Sequence, residues 1–338
     1  MIKPLVSVVV INYNDEQYIT DCLSSLMDQQ MSEGEYEVIF ADNGSDDGSP
    51  DIVRSRFPNV RLVEFDQNYG FCEGNNRAVE YTRGKYVAFL NVDTVVHRKW
   101  LSELFRVVES DPSIKACQSN MIMPWSDEFQ PINREEFPQH TYYYDVSPFG
   151  YAAYRTRPFE KHPIPSLFLE GGSLLIEKQL IAHPLYAFDA DLGFYCEDLD
   201  LALRVNTLGY NTVTVPTSVV YHSNSFSMKA GSDRQSVQKA TQIVRNRILA
   251  FYKNMTNAEF VTFLPLLVVG APFKVRQFGW SFEKQLAYGL GAIPVTIVGL
   301  RQAVSSFRRF RHKRQQNLEQ RRRREWWLLR KMLEDFQR

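Results

Sequence analysis

The chain has 338 residues, 44% apolar and 23% charged, a composition that excludes a disordered chain and leaves room for a large core. Net charge is zero, but residues from 301 on carry 13 Lys and Arg against 4 Asp and Glu, leaving 26 against 35 on the first 300. An acidic body with a basic tail predicts an anionic partner for the tail. Cys22, Cys72, Cys117 and Cys196 form no CxxC pair and read as free thiols of a reducing compartment. The first residues lack a signal-peptide layout, so the expected location is the cytoplasm.

The first 120 residues alternate. A β-branched run over 6–11 has the two-sided apolarity of a buried parallel strand, and apolar spacing over 15–29 predicts a helix. "EYEVIFA", "NVRLVEF", "KYVAFLN" and "IKACQS" read as further strands, with helices expected over 50–57, 74–82 and 99–110. This order predicts a doubly wound α/β sheet with ligands beyond the carboxyl ends of its strands. Residues 124–165 break the rhythm with Pro, Tyr and Phe, and read as a long irregular aromatic insertion. It is expected to be an acceptor platform or an aromatic subcore. "SLLIEK", a helix over 199–208, and two short strands in "YNTVTVP" and "SVVYH" follow.

Beyond residue 237 the character changes. "VTFLPLLVVGAP" and "LAYGLGAIPVTIVGL" are apolar but broken by Gly and Pro, and shorter than the ~20 residues that span a bilayer. With the arginines and Trp326 and Trp327 that follow, they suit a membrane interface. A core helical hairpin with a solvated tail is the alternative. The expected division is a catalytic domain over 1–237 and a helical, basic, amphipathic segment over 238–338.

The loops after the strands are polar: "NYN", "ADNGSDDGSPD", "DQNYGFCEGNN" and "NVDT". Each alone is ordinary turn chemistry. Four on one sheet edge present carboxylates, amides and exposed N–H groups, which suit a nucleotide and a divalent cation. No GxGxxG opens the first helix and no GxxxxGK[ST] occurs, which disfavours dinucleotide oxidoreductases and P-loop enzymes.

In their order and spacing, "VSVVVINYN", "VIFADNGSDDGS", "NYGFCEGNN", "FLNVDT" and "FYCEDLDLALRVNTLGY" resemble the family 2 inverting glycosyltransferases of the GT-A fold, near their rhamnosyltransferase-like branch. The resemblance implies a Rossmann-like, mostly parallel central sheet with a C-terminal helical membrane-associated extension. It puts Asn12 and Tyr13 at the nucleobase, Asp42 on the base or ribose, and Asn68, Gly70, Asn75 and Asn76 along the nucleotide-sugar pocket. Asn91 and Asp93 match an Asp-x-Asp metal motif whose first acid is Asn here, so Asp93 is the expected ligand. His222 matches a histidine that reaches the same metal in some relatives; the alternative is a histidine satisfied at a strand end. The cation implied is Mg²⁺ or Mn²⁺, which would neutralise charge on a departing diphosphate.

Asp191, Glu197, Asp198 and Asp200 crowd one helix start. The helix dipole alone accounts for acids there. The resemblance makes Asp198 the general base. Helical phase sets it beside Ala202 and Val205, near a buried edge, with Glu197 and Asp200 pointing elsewhere. Glu197 reads as a cap or acceptor contact and Asp200 as a structural partner; Arg204 either binds the diphosphate or pairs with Asp200. Gly171 and Gly172 permit close backbone approach to sugar or acceptor, and Glu170 is placed to touch a sugar hydroxyl.

The function these readings imply is inverting, metal-dependent transfer from a nucleotide-sugar donor, dTDP-rhamnose or a UDP-sugar, to a lipid-linked saccharide acceptor at an anionic membrane surface, on the inner face of the cell membrane. Transfer of galactofuranose, glucose or mannose to a soluble or protein acceptor is the alternative enzyme, and a non-catalytic nucleotide-sugar-binding scaffold the alternative class. No nucleic-acid partner is expected, because the tail lacks interleaved stacking aromatics.

Overall fold

A computed structural model describes residues 4–32, 34–123, 134–182, 186–223, 233–269 and 282–337. The N-terminal half runs β1 (Val6–Asn12), α1 (Glu16–Met27), β2 (Tyr36–Asp42), α2 (Ser49–Arg56), β3 (Arg61–Glu64), α3 (Gly70–Val79), β4 (Tyr86–Asn91), β5 (Thr94–Val96), α4 (Trp100–Ser110) and β6 (Ile114–Ile122). Then come β7 (His140–Val146), β8 (Ala152–Pro158), β9 (Ile164–Pro165), β10 (Ser173–Glu177), α5 (Glu197–Thr207) and β11 (Asn211–His222). The chain closes with α6 (Asp233–Asn254), α7 (Asn257–Val269), α8 (Phe282–Gln320) and α9 (Trp327–Gln337).

Nine strands form one sheet in the order β3-β2-β1-β4-β10-β6-β11-β5, with β9 added on β11. Strands β1, β2, β3, β4, β6 and β11 run the same way, while β10 enters antiparallel between β4 and β6. Period-two alternation sorts β1 between two cores. Val6, Val8 and Val10 pack with Ile19, Leu23, Trp100 and Leu104 of α1 and α4. Val9 turns to the other face, with Ala78 of α3 and Leu201 and Val205 of α5. Each fully buried Val or Leu contributes about 1.5–3 kcal/mol.

Register then builds one functional edge. Asn12 lies opposite Asp42, and Ile11 opposite Asn91, so the ends of β1, β2 and β4 stand side by side. Because β10 is antiparallel, its entry at Ser173, facing Leu90, brings Gly171 and Gly172 to that same edge. β11 ends there too, with His222 opposite Thr94.

Several elements differ from expectation. The helix expected over 74–82 starts at Gly70, and the one expected at 199 starts at Glu197. The two short strands near 210–222 are one strand with a bulge between Val215 and Val219, around Pro216. Within 124–165, residues 124–133 lie outside the described residues, and the rest is not irregular: β7 and β8 form an antiparallel hairpin.

The division expected after residue 237 falls inside α6. A third core joins the two regions: Leu199 and Leu203 of α5 pack with Ile248 and Phe251 of α6, Phe260 and Phe263 of α7, Phe310 of α8 and Leu328 of α9. Several tail cations turn inward. Arg321 pairs with the buried Glu259 at 2.6 Å, Arg314 donates to the Tyr252 carbonyl, and Lys313 reaches Asp189 at 2.5 Å. Among the described residues, no helix is long and apolar enough to cross a membrane.

Candidate active site

The functional edge floors a cavity of 580 Å³, walled by α5, α6 and the tip of the β7–β8 hairpin. On the β1–β2 side, Asn12, Tyr13, Asn68 and Gly70 reach the cavity. Asn12 is buried; its Nδ2 donates to Asp42 Oδ1 at 3.0 Å and Ser45 Oγ at 3.1 Å, while its Oδ1 has no partner among the described residues. Asp42 also accepts from the Ser45 backbone N–H at 2.9 Å and sits behind Asn12, off the cavity wall. In this arrangement it orients the Asn12 amide. Asn43, its neighbour, takes the wall position instead and went unnoticed in the sequence. Its side chain donates to Asn68 Oδ1 at 3.0 Å and to the Gly70 carbonyl at 3.2 Å. Gly74 lets α3 approach that amide, since a Cβ there would lie 2.9 Å from Ile11 Cδ1 and 3.1 Å from Asn43 Nδ2.

Asn75 and Asn76 do not line the cavity. Because α3 begins at Gly70, its turn carries both away from the pocket. Asn75 donates to the Phe71 carbonyl within the helix, and Asn76 donates to Phe188 O at 2.7 Å while accepting from the Ala187 and Phe188 N–H groups. Asn76 thereby holds the chain ahead of α5.

At the end of β4, His222 Nε2 lies 3.0 Å from Asp93 Oδ1 and 3.5 Å from Asn91 Nδ2. Burial opposes charge on the imidazole, but the Asp93 hydrogen bond and charge, with Glu170 beyond, raise its pKa above the ordinary value. An imidazole clasped to a carboxylate, with an amide alongside, is a donor set that a hard divalent cation can take in place of the shared proton. Among the described residues no group of three or more His, Cys, Asp and Glu could enclose a metal ion. The set therefore fits a cation whose remaining positions go to water and substrate oxygens.

Glu170, Gly171 and Gly172 pass across the sheet edge. The Gly172 carbonyl accepts from the Asn91 N–H at 3.0 Å, and the Glu170 N–H donates to Gln118 Oε1 at 2.8 Å. A Cβ on Gly172 would meet Met121 Cε at 3.2 Å and Asn91 Nδ2 at 3.3 Å; one on Gly171 would touch Asp198 Cβ at 3.5 Å. Gly172 thus leaves room for Met121 and the Asn91 amide, while Gly171 lies in ordinary contact range of Asp198.

Asp198 and Glu197 both face the cavity. The half-buried Asp198 accepts from the Leu199 N–H at 2.7 Å. Burial first, then the charges of Glu197 and Glu170, push its pKa well above the carboxylate range, against backbone hydrogen bonds from Leu199 and Gly171. Glu197 does not point elsewhere: it is 6% exposed, its Oε2 has no partner among the described residues, and burial with the Glu170 charge pushes it up to about 7. Burial also raises Glu170. Three acids sharing one enclosure disfavour simultaneous ionisation.

The approach to α5 is strained. Tyr195 (φ 71°) and Cys196 (φ 66°) both adopt left-handed backbone, each costing about 1 kcal/mol or more. Asn246 of α6 holds them there, its Nδ2 donating to the carbonyls of Leu192, Phe194 and Tyr195 at 2.8, 3.0 and 2.9 Å. Gln242 adds a bond to Phe194 O at 3.0 Å. Asp200 is structural as expected, but its cation is Lys253, at 2.6 Å and shared with Asp189 at 2.5 Å. Arg204 neither reaches the cavity nor pairs with Asp200. It is buried, stacks on Tyr186 and donates to the Tyr186 and Ala187 carbonyls, because two turns of helix carry it past the mouth.

Residues 7–163 match the family described as Glycosyl transferase family 2. Glycosyltransferase AglE of Haloferax volcanii is 34% identical over 101 residues, 29% of this chain and 33% of that protein. The N-acetylglucosaminyl-diphospho-decaprenol L-rhamnosyltransferase of Mycobacterium tuberculosis is 26% identical over 240 residues, 65% of this chain and 76% of that protein. The matches span about a third of the length of the first curated relatives. A mannosyltransferase from Pyrobaculum calidifontis, solved with GDP-Man and Mn²⁺, shares the fold at TM-score 0.56 and 17% identity, over 94% of this chain and 86% of that one. On the matched motifs and this sheet, residues 7–163 carry the family 2 glycosyltransferase signature, set in a GT-A fold.

Proposed function

We propose that the protein transfers a sugar, with inversion, from a nucleotide-diphosphate donor such as dTDP-rhamnose or a UDP-sugar to a lipid-linked saccharide. The observation that carries the proposal is one cavity holding Asp198 on one wall, the Asp93–His222 pair on its floor and the Asn12, Asn43 and Asn68 amides at its rim. In this reading the amides receive the nucleobase and ribose. A divalent cation, Mg²⁺ or Mn²⁺, bound by Asp93 and His222 would neutralise charge on the departing diphosphate. Asp198 takes the proton of the acceptor hydroxyl as that oxygen attacks the anomeric carbon from the face opposite the diphosphate. Burial raises Asp198, Glu197 and Glu170 alike, so the base acts only when Asp198 is the ionised member of the three. The rhamnosyltransferase match supports rhamnose and a polyprenyl-linked acceptor.

Association with the inner face of a membrane is part of the same proposal. On α8, Ile293, Ile297 and Val304 are 50, 53 and 52% exposed and share one helical stripe with the exposed Arg301 and Arg308. An apolar stripe bearing arginines suits an anionic lipid surface. The test of the catalytic reading is a thermal-shift and turnover panel of sugar nucleotides with and without Mn²⁺. One donor should raise Tm only with the cation and be turned over; no shift and no turnover with any donor would overturn the proposal.

A further inference from the structure

Arg247 lies on α6 and lines the cavity, yet it is 1% exposed. Its guanidinium stacks 3.4 Å from the centroid of the Tyr151 ring, and Nη2 donates to the Leu267 carbonyl. Nε and Nη1 have no hydrogen-bond partner, and no ion pair of Arg247 is found among the described residues. Burial alone lowers its pKa, to about 9, with no carboxylate acting against it. A buried cation without a counter-ion is costly, and folds keep such charges where something pairs with them.

The position says what that partner is. The β7–β8 hairpin that carries Tyr151 is fastened to β6, through Gln118 Nε2 to Tyr144 O at 2.8 Å and Tyr154 Oη to Met121 O at 3.1 Å. In sheet order β6 lies two strands beyond β4, away from the β1–β2 amides. Asp198, against Gly171 at the β4–β10 junction, stands between the two ends. If the donor occupies the amide end and the base lies between, the Arg247 end receives the acceptor. Tyr144, Tyr151 and Phe168 form an aromatic wall there.

We propose that Arg247 binds an oxyanion, phosphate or carboxylate, carried by the sugar acceptor, so that the acceptor class is anionic. The proposal rests on the glycosyltransferase reading for the word acceptor, but its test does not need turnover. Calorimetry in EDTA, which removes any cation from the Asp93–His222 end, compares hexyl phosphate, hexanoate and hexanol. Wild type should bind one of the anions at least about ten-fold more tightly than hexanol, as one charge-assisted contact in an enclosed site provides. The preferred anion distinguishes a phosphate-linked from a carboxylate-bearing acceptor. In Arg247→Gln the preference should fall to near parity, and Arg247→Lys should restore part of it. Equal binding of all three probes by wild type, or a preference that survives Arg247→Gln, would overturn the proposal. An anion preference in a protein that turns over no sugar nucleotide would instead overturn the catalytic reading and leave the anion site standing.

Discussion

Asp198 and Glu197 are chain neighbours with different tasks. Asp198 has a backbone N–H to orient it and a half-open face, which suits a group that must meet an acceptor hydroxyl. Asp198→Asn keeps the shape and removes the basicity, so transfer should fall about 10²–10⁴-fold while cation-dependent donor binding, measured by calorimetry, changes little. Loss of both would reassign the residue to donor binding. Glu197 is buried with an unpartnered oxygen and a carboxyl raised from 4.5 to about 7. Between those pH values the folded protein keeps a proton that the unfolded chain has lost, so stability declines as pH rises through the window. Glu197→Gln has no such proton to hold. It should be more stable than wild type at pH 8, by on the order of 1–3 kcal/mol in urea denaturation, with the gain shrinking toward pH 5.

At the scale of elements, the loop that carries Asp198 depends on a helix some fifty residues further along the chain. Asn246→Ala removes both amide N–H donors that the carbonyls of Leu192, Phe194 and Tyr195 share, at about 1 kcal/mol for each donor. The variant should lose roughly 2 kcal/mol in urea denaturation, and kcat should drop more than donor KM rises. Little in the sequence pointed to this. "TQIVRNRILAFYKN" has a helical period, but an amide among arginines reads as a solvated face until tertiary contacts are known. The parallel strands were legible because both faces are buried and the apolar runs are continuous, as in Val6–Asn12. The hairpin was hidden because "HTYYYDV" alternates buried and accessible positions with tyrosine on both. Family register placed Asn75 and Asn76 along the pocket, whereas the start of α3 at Gly70 decided where they point.

Over the whole molecule, the charge asymmetry was visible in the sequence and its use was not. Part of the basic tail is internal wiring, with Lys313 on Asp189 and Asp191 and Arg321 on Glu259. Removing residues 301–338 would strip Ala303, Phe310, Leu328 and Met332 from the third core. At about 1.5–3 kcal/mol for each large apolar side chain, with Glu259 left unpaired, the truncated chain should lose cooperative unfolding in calorimetry rather than only its membrane affinity. A sharp transition within a few degrees of the full chain would show that the tail is an accessory.

The Asn246 clamp also sets an order of assembly during synthesis. A ribosome delivers the amide rim and Asp93 within the first hundred residues, and His222 well after them. The loop carrying Asp198 emerges before α6 exists to hold its left-handed turn. A nascent chain halted short of residue 246 would carry Asp198 on a loop whose left-handed turn has no clamp to hold it.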